Sequence, residues 1–223
     1  MTKNLIHHFK TAIYLVVIVG VSVASAGSYE DFFMAVKQDT PNPIQNLLRR
    51  GFDPNTVDPN GQTGLFIALR EPSPRVAQVL IDWPKTDVNR LNSKGESALM
   101  LAALTDQQDL AEKLIKKGAD VNKTGWTPLH YAATKGHLAI ISLLLEQHAY
   151  IDAESPNGTT PLMMAAMYGT PAAVKLLLQE GADPQLKNQQ GLTALEFAER
   201  ASRPDAVELL AAAVRGKKPA GQW

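Results

Sequence analysis

Thr127-Pro128-Leu129-His130-Tyr131-Ala132-Ala133, followed by Gly136-His137 and then Leu143-Leu144-Leu145, is the stretch on which the reading of the chain turns. A hydroxyl residue ahead of a proline predicts a helix start, with Thr127 as N-cap and Pro128 at the first helical position, where no backbone donor is wasted. The paired alanines allow close helix contact. Gly136 can take the positive φ of a tight turn, and the leucine run predicts a second helix packed on the first. The same grammar recurs outward in both directions. Gly61-Gln62-Thr63, Gly95-Glu96-Ser97, Gly125-Trp126-Thr127, Gly158-Thr159-Thr160 and Gly191-Leu192-Thr193 stand 34, 30, 33 and 33 residues apart. Gly169 is placed to turn between helices as Gly136 does, and Gly51, Gly118 and Gly181 to stop the second helix of a unit in the left-handed conformation. Asn60-Gly61 and Asn157-Gly158 suit two-residue hairpin tips. Each unit reads as a helix pair with a projecting hairpin.

Period and motif together resemble the ankyrin repeat. The resemblance covers practically all of residues 27–216 and implies an all-α solenoid of stacked helix pairs with short β-hairpin or loop fingers. Six units follow, at about 28–57, 58–91, 92–123, 124–153, 154–187 and 188–216. The first, opening Tyr29-Glu30-Asp31, lacks the Thr-Pro-Leu-His motif, and the last carries Arg200, Arg203, Asp205, Glu208 and Arg215 on outer positions; both suit capping repeats. Other departures are local. Pro72-Ser73-Pro74 replaces a glycine turn and predicts a distorted loop, the hairpin at Asn122-Lys123-Thr124-Gly125 is three residues short, and His148-Ala149-Tyr150 stands where Gly-Ala-Asp is usual. The tail over 217–223 is expected to be disordered.

Composition narrows the function. Lysine plus arginine number 22 and aspartate plus glutamate 22, so no one-signed field favours nucleic acid. The chain contains no cysteine, which removes disulfides, thiolate zinc sites and thiol nucleophiles. Residues 1–26 read as a signal peptide: Lys3 and Lys10 without an acid, an apolar run from Ala12 to Val23, then Ala24-Ser25-Ala26 as a cleavage site. Cleavage near Ala26 would place the protein in a bacterial periplasm without a membrane attachment, and a monomer is expected. An uncleaved anchor is the alternative, although the run is short of the roughly 20 residues that cross a bilayer.

Catalytic chemistry finds no anchor in this sequence. His-Glu-x-x-His, Gly-x-Ser-x-Gly and phosphate-binding glycine loops are absent. Asp53, Asp87, Asp120, Asp152 and Asp183 recur in register, which argues for a turn role in every unit. No catalytic, cofactor-binding or metal-ligating residue is assigned, and no cofactor is expected. His137, after the turn glycine, reads as solvent-facing. The resemblance gives Thr127, Pro128, Leu129 and His130 a structural role, with His130 bridging backbone groups of adjacent hairpins.

The resemblance also implies where a partner protein would be gripped, at hairpin tips and at inner-helix positions just before the turn, which line a concave groove. Position by position these are Glu96, Trp126, Thr159 and Leu192 at tips, and Leu104, Thr134, Lys135, Met167, Tyr168 and Arg200 on helices. Aromatic and apolar side chains with a charged rim have the composition of a binding hot spot. Trp126 is equally well explained by packing along its shortened hairpin. The function so implied is a non-catalytic protein-binding module in the cell envelope, accessory to an exported enzyme such as a peroxide-detoxifying one. The alternative is an immunity-type inhibitor of a toxin acting in the same compartment.

Overall fold

The computed structural model describes residues 27–71 and 73–216. The leader read over 1–26, the tail over 217–223 and Pro72 of the expected distorted loop lie outside the described residues. Twelve helices occur among the described residues: α1 over 27–37, α2 Pro41–Arg49, α3 Gly64–Arg70, α4 Pro74–Asp82, α5 Ala98–Leu104, α6 Gln108–Lys116, α7 Pro128–Lys135, α8 Leu138–Glu146, α9 Pro161–Tyr168, α10 Pro171–Gln179, α11 Ala194–Arg200 and α12 Pro204–Gly216. The only β pairing among these residues is an antiparallel bridge between Val57 and Thr63, so the fingers are loops in an all-α repeat protein. The chain divides into two compact units between Lys85 and Thr86.

In the first unit, α1 to α4 enclose Phe32, Val36, Ile44, Leu69 and Leu80, all fully buried. Phe32 stacks on Phe52 at 4.7 Å between ring centroids and meets Phe33 edge-on at 5.1 Å. Helix α3 begins directly on the Phe32 ring, so close that a Cβ on Gly64 would stand 2.6 Å from it. Asp39 closes the start of α4 by accepting from the Val76 N–H and from Arg75 Nε, at 2.8 and 3.0 Å.

The second unit is two layers of helices. Helices α5, α7, α9 and α11 pack in that order in one layer, and α6, α8, α10 and α12 in the other, each beside its own partner. The alanine pairs Ala102-Ala103, Ala132-Ala133 and Ala165-Ala166 are fully buried, which lets backbones of the first layer approach closely. Every helix of that layer starts by satisfying the N-cap N–H from the third helical residue, whatever its chemistry: Ser97 N–H on Met100 Sδ, Thr127 on His130 Nδ1, Thr160 on Met163 Sδ and Thr193 on Glu196 Oε2. The bonds to Glu196, the backbone one foremost, hold its carboxyl below the usual glutamate range.

Two turn expectations change. Gly136 has φ +73° as expected, but Gly169 has φ −77°. Gly169 is needed for space: a Cβ there would run into the Ala133 carbonyl oxygen and lie 2.9 Å from Ala165 Cα. The Asn-Gly tips are not two-residue turns either, since Gly61 and Gly158 have positive φ while their asparagines do not. At the first tip a four-residue turn forms, because the Asp58 carboxylate accepts from the N–H groups of Asn60 and Gln62 at 2.9 and 2.8 Å. Asn92 and Asn188 do the same at their tips.

Consecutive repeats are also tied at the hairpin bases. Asn89 donates to the Gly118 carbonyl and accepts from the Asp120 N–H, both at 2.8 Å. Asn122 joins His148 and Tyr150 in the same way, and Asp152 accepts from the Asp183 N–H. Both polar ends of the Asn122 side chain are therefore engaged. His148 takes φ +62°, the left-handed position that Gly51, Gly118 and Gly181 occupy in their repeats.

Candidate functional site

Residues 127–130 build the floor of the site. The Thr127 N–H can only donate, so Nδ1 of His130 accepts it at 3.2 Å and the ring is the Nε2–H tautomer, donating to the Thr159 carbonyl at 2.9 Å. His130 is fully buried with both nitrogens satisfied, and burial lowers its pKa from 6.5 to about 4. The imidazole is neutral and links one hairpin to the next.

Trp126 stands on this floor, edge-on to the His130 ring at 5.2 Å between centroids. Its half-buried indole, with Leu104, Tyr131, Thr134 and Met164, bounds a cavity of about 220 Å³ with an almost entirely apolar wall. The Thr134 hydroxyl donates to the His130 carbonyl at 2.7 Å. The Tyr131 hydroxyl donates to Glu96 Oε1 at 3.0 Å, while Glu96 Oε2 accepts from Asn92 at 2.7 Å. Burial and the Glu96 carboxylate together push the Tyr131 phenol well above its ordinary pKa. Glu96 is thus a strut between its hairpin and α7.

The structure sorts the residues named from sequence. Leu104, Trp126 and Thr134 come together in the cavity, while Lys135, the residue after Thr134, is exposed at the end of α7 and is not part of the wall. Tyr168 is 56 % exposed and Met167 half-buried at the end of α9, Leu192 is half-buried at its tip, and Arg200 is exposed on α11; none of these four lines the cavity. Thr159 does not belong to a surface: it is 2 % exposed because its backbone is drawn in by His130 and the Ser155 hydroxyl. His137 does not point to solvent. Its Nε2 meets the Leu104 carbonyl at 3.2 Å and its Nδ1 faces Asp106 at 3.5 Å, bracing the turn after α5.

Tyr131 and Met164 were not singled out from sequence, although each lies three residues before a named position, Thr134 or Met167, and therefore on the same helix face. That period was the available signal. The first unit carries a second recess, about 490 Å³, between α1 and its hairpin, lined in part by Tyr29, Phe33, Met34 and Ile67. Among the described residues no group of three histidine, aspartate or glutamate side chains converges as metal ligands, and no helix is long and apolar enough to cross a membrane.

Comparison with known proteins gives a family and several similar chains. Residues 32–124, 73–155 and 129–219 each match the family model described as ankyrin repeats. The human transient receptor potential cation channel subfamily A member 1 is 32 % identical over 122 residues, 52 % of this chain and 11 % of the channel. The B-cell lymphoma 3 protein homolog of Mus musculus is 30 % identical over 132 residues, 56 % of this chain and 30 % of that protein. The chain thus spans a minor part of these relatives. A chain from the structure of a predatory endopeptidase of Bdellovibrio bacteriovorus in complex with an immunity protein is similar over almost its whole length. It is 33 % identical with a TM-score of 0.69, covering 84 % of this chain and 98 % of that one.

Proposed function

The chain belongs to the ankyrin repeat family, and on that footing we propose that it is an exported, non-catalytic binding protein of the immunity type. The face of its α5, α7, α9 and α11 layer in residues 86–216 docks on a peptide-bond-cleaving enzyme of the same compartment and blocks it. Ankyrin repeats are protein-binding modules, and the observation that carries the finer reading is the near full-length likeness to a chain of an endopeptidase–immunity complex. The apolar cavity beside Trp126 supports it, since half-buried aromatics flanked by a charged residue make a binding surface. Export rests on the leader features at Lys3, Lys10, Ala12–Val23 and Ala24-Ser25-Ala26. An accessory to a peroxide-detoxifying enzyme ranks below this reading, because the structural likeness is to a complex that holds an endopeptidase.

Inhibition would work by rigid presentation. Capped helices, the buried His130 link and the Glu96 strut hold the face in shape before the partner arrives, so little ordering entropy is lost on binding. The test is titration of the purified chain into the exported endopeptidases of its source while peptide cleavage is followed. One enzyme is expected to lose activity stoichiometrically. Trp126→Ala combined with Tyr168→Ala should weaken that inhibition at least about thirtyfold, the equivalent of about 2 kcal/mol, with the helical circular-dichroism signal unchanged. Full inhibition by the double variant would remove this face from the function, and failure to inhibit any of them would remove the immunity role.

A further inference from the structure

Resting on the reading that this face binds protein, we infer that the cavity bounded by Leu104, Trp126, Tyr131, Thr134 and Met164 receives one large apolar side chain from an exposed loop of the partner, and that the same loop carries a carboxylate directed at Lys135. The size of the cavity, about 220 Å³, accommodates a single side chain of the leucine, methionine or phenylalanine class. Its chemistry favours an apolar one. The wall is almost entirely apolar, and both hydroxyls on it have already spent their protons, Thr134 on the His130 carbonyl and Tyr131 on Glu96, so a polar occupant would shed more water than these few remaining acceptors repay.

A loop fits better than a helix. A bound helix seats anchors at i, i+3 and i+4 and needs a row of pockets. Met167, Tyr168, Leu192 and Arg200 do not continue this cavity.

The carboxylate follows from which charges remain uncommitted. Glu96 accepts from Tyr131 and Asn92, and Asp106 faces His137. Lys135, the residue after Thr134, is exposed and forms no ion pair among the described residues. The uncommitted charge that directly follows the wall residue Thr134 in the chain is positive, and the complementary partner is an acid near the apolar anchor.

Phage-displayed random linear nonapeptides selected on the full chain test this. The expected peptides carry a leucine, methionine or phenylalanine with an aspartate or glutamate within three residues. Thr134→Trp, which fills the cavity, and Trp126→Ala, which removes its wall, should each weaken their binding at least tenfold while the melting temperature stays near that of the parent. Lys135→Glu should turn the selected charge from acidic to basic. Peptides that bind the parent and Thr134→Trp equally would overturn the cavity assignment yet leave endopeptidase inhibition, measured separately, to stand or fall alone. Selection without an acidic preference, or without any binder, would overturn the proposal as well.

Discussion

Lowering the pH from 7.5 to 4 is expected to weaken the second unit through His130 in particular. In the unfolded chain this imidazole titrates near 6.5; in the fold it stays neutral until about pH 4. Between those values the unfolded state holds a proton that the native state refuses, so stability falls as pH falls. The contribution is fully present above pH 6.5, is lost progressively across the window, and changes no further below pH 4. At about 1.4 kcal/mol per pH unit over that window, the loss is about 3 kcal/mol. Carboxylates also titrate as acid is added, so the measurement is a comparison. His130→Gln keeps one donor for the Thr159 carbonyl and one acceptor for the Thr127 N–H but does not ionise. Urea unfolding of both proteins at half-unit pH steps should show the parent losing about 3 kcal/mol more than the variant between pH 7 and pH 4. Parallel curves for the two proteins would refute the reasoning, because they would mean that the buried imidazole is protonated in the fold as readily as outside it.

Two local substitutions complete the expectations. Gly169→Ala should destabilise by about 3 kcal/mol in denaturant melts, since the new methyl has only backbone of α7 and α9 to displace; a change under 0.5 kcal/mol would mean that this junction is loosely packed. His148→Gly should stabilise by about 0.5 to 1 kcal/mol, the relief of a left-handed side-chain residue less the added freedom of glycine in the unfolded chain. A fall in melting temperature would show that the His148 side chain makes a compensating contact.

The helix pairs were legible because their signals are local and periodic. Threonine before proline, paired alanines and leucine runs each dictate a helix start, a close contact or a buried face without reference to distant residues. The role of Gly169 was not legible, since sequence shows a glycine but not whether φ or space demands it; here the approach of the Ala133 carbonyl decides. Asn60 and Asn157 likewise suggest one turn, while at the first tip Asp58, two positions before Asn60, sets another by capping two N–H groups. At the candidate site, Trp126, Leu104 and Thr134 could be placed from their repeat positions. Thr159 departs from its tip position for a three-dimensional reason: the position in the repeat is equivalent, but His130 turns its carbonyl inward. Tyr131 carries no local signal of its role, because its distance from Glu96, 35 positions back, hides the bond that holds the cavity wall.

The links at the hairpin bases carry a consequence for biogenesis. Asn89 reaches a carbonyl 29 positions on, Asn122 one 26 positions on, and Asp152 an N–H 31 positions on. None of these links waits for the far end of the chain. A polypeptide emerging end first from a ribosome or a translocation pore can therefore lock each repeat as soon as the following one is out, without holding apolar surface open until synthesis or transport is complete. For a chain without a single cysteine, that step-by-step closure takes the place of an oxidative folding pathway, and its assembly needs no thiol chemistry from the surroundings.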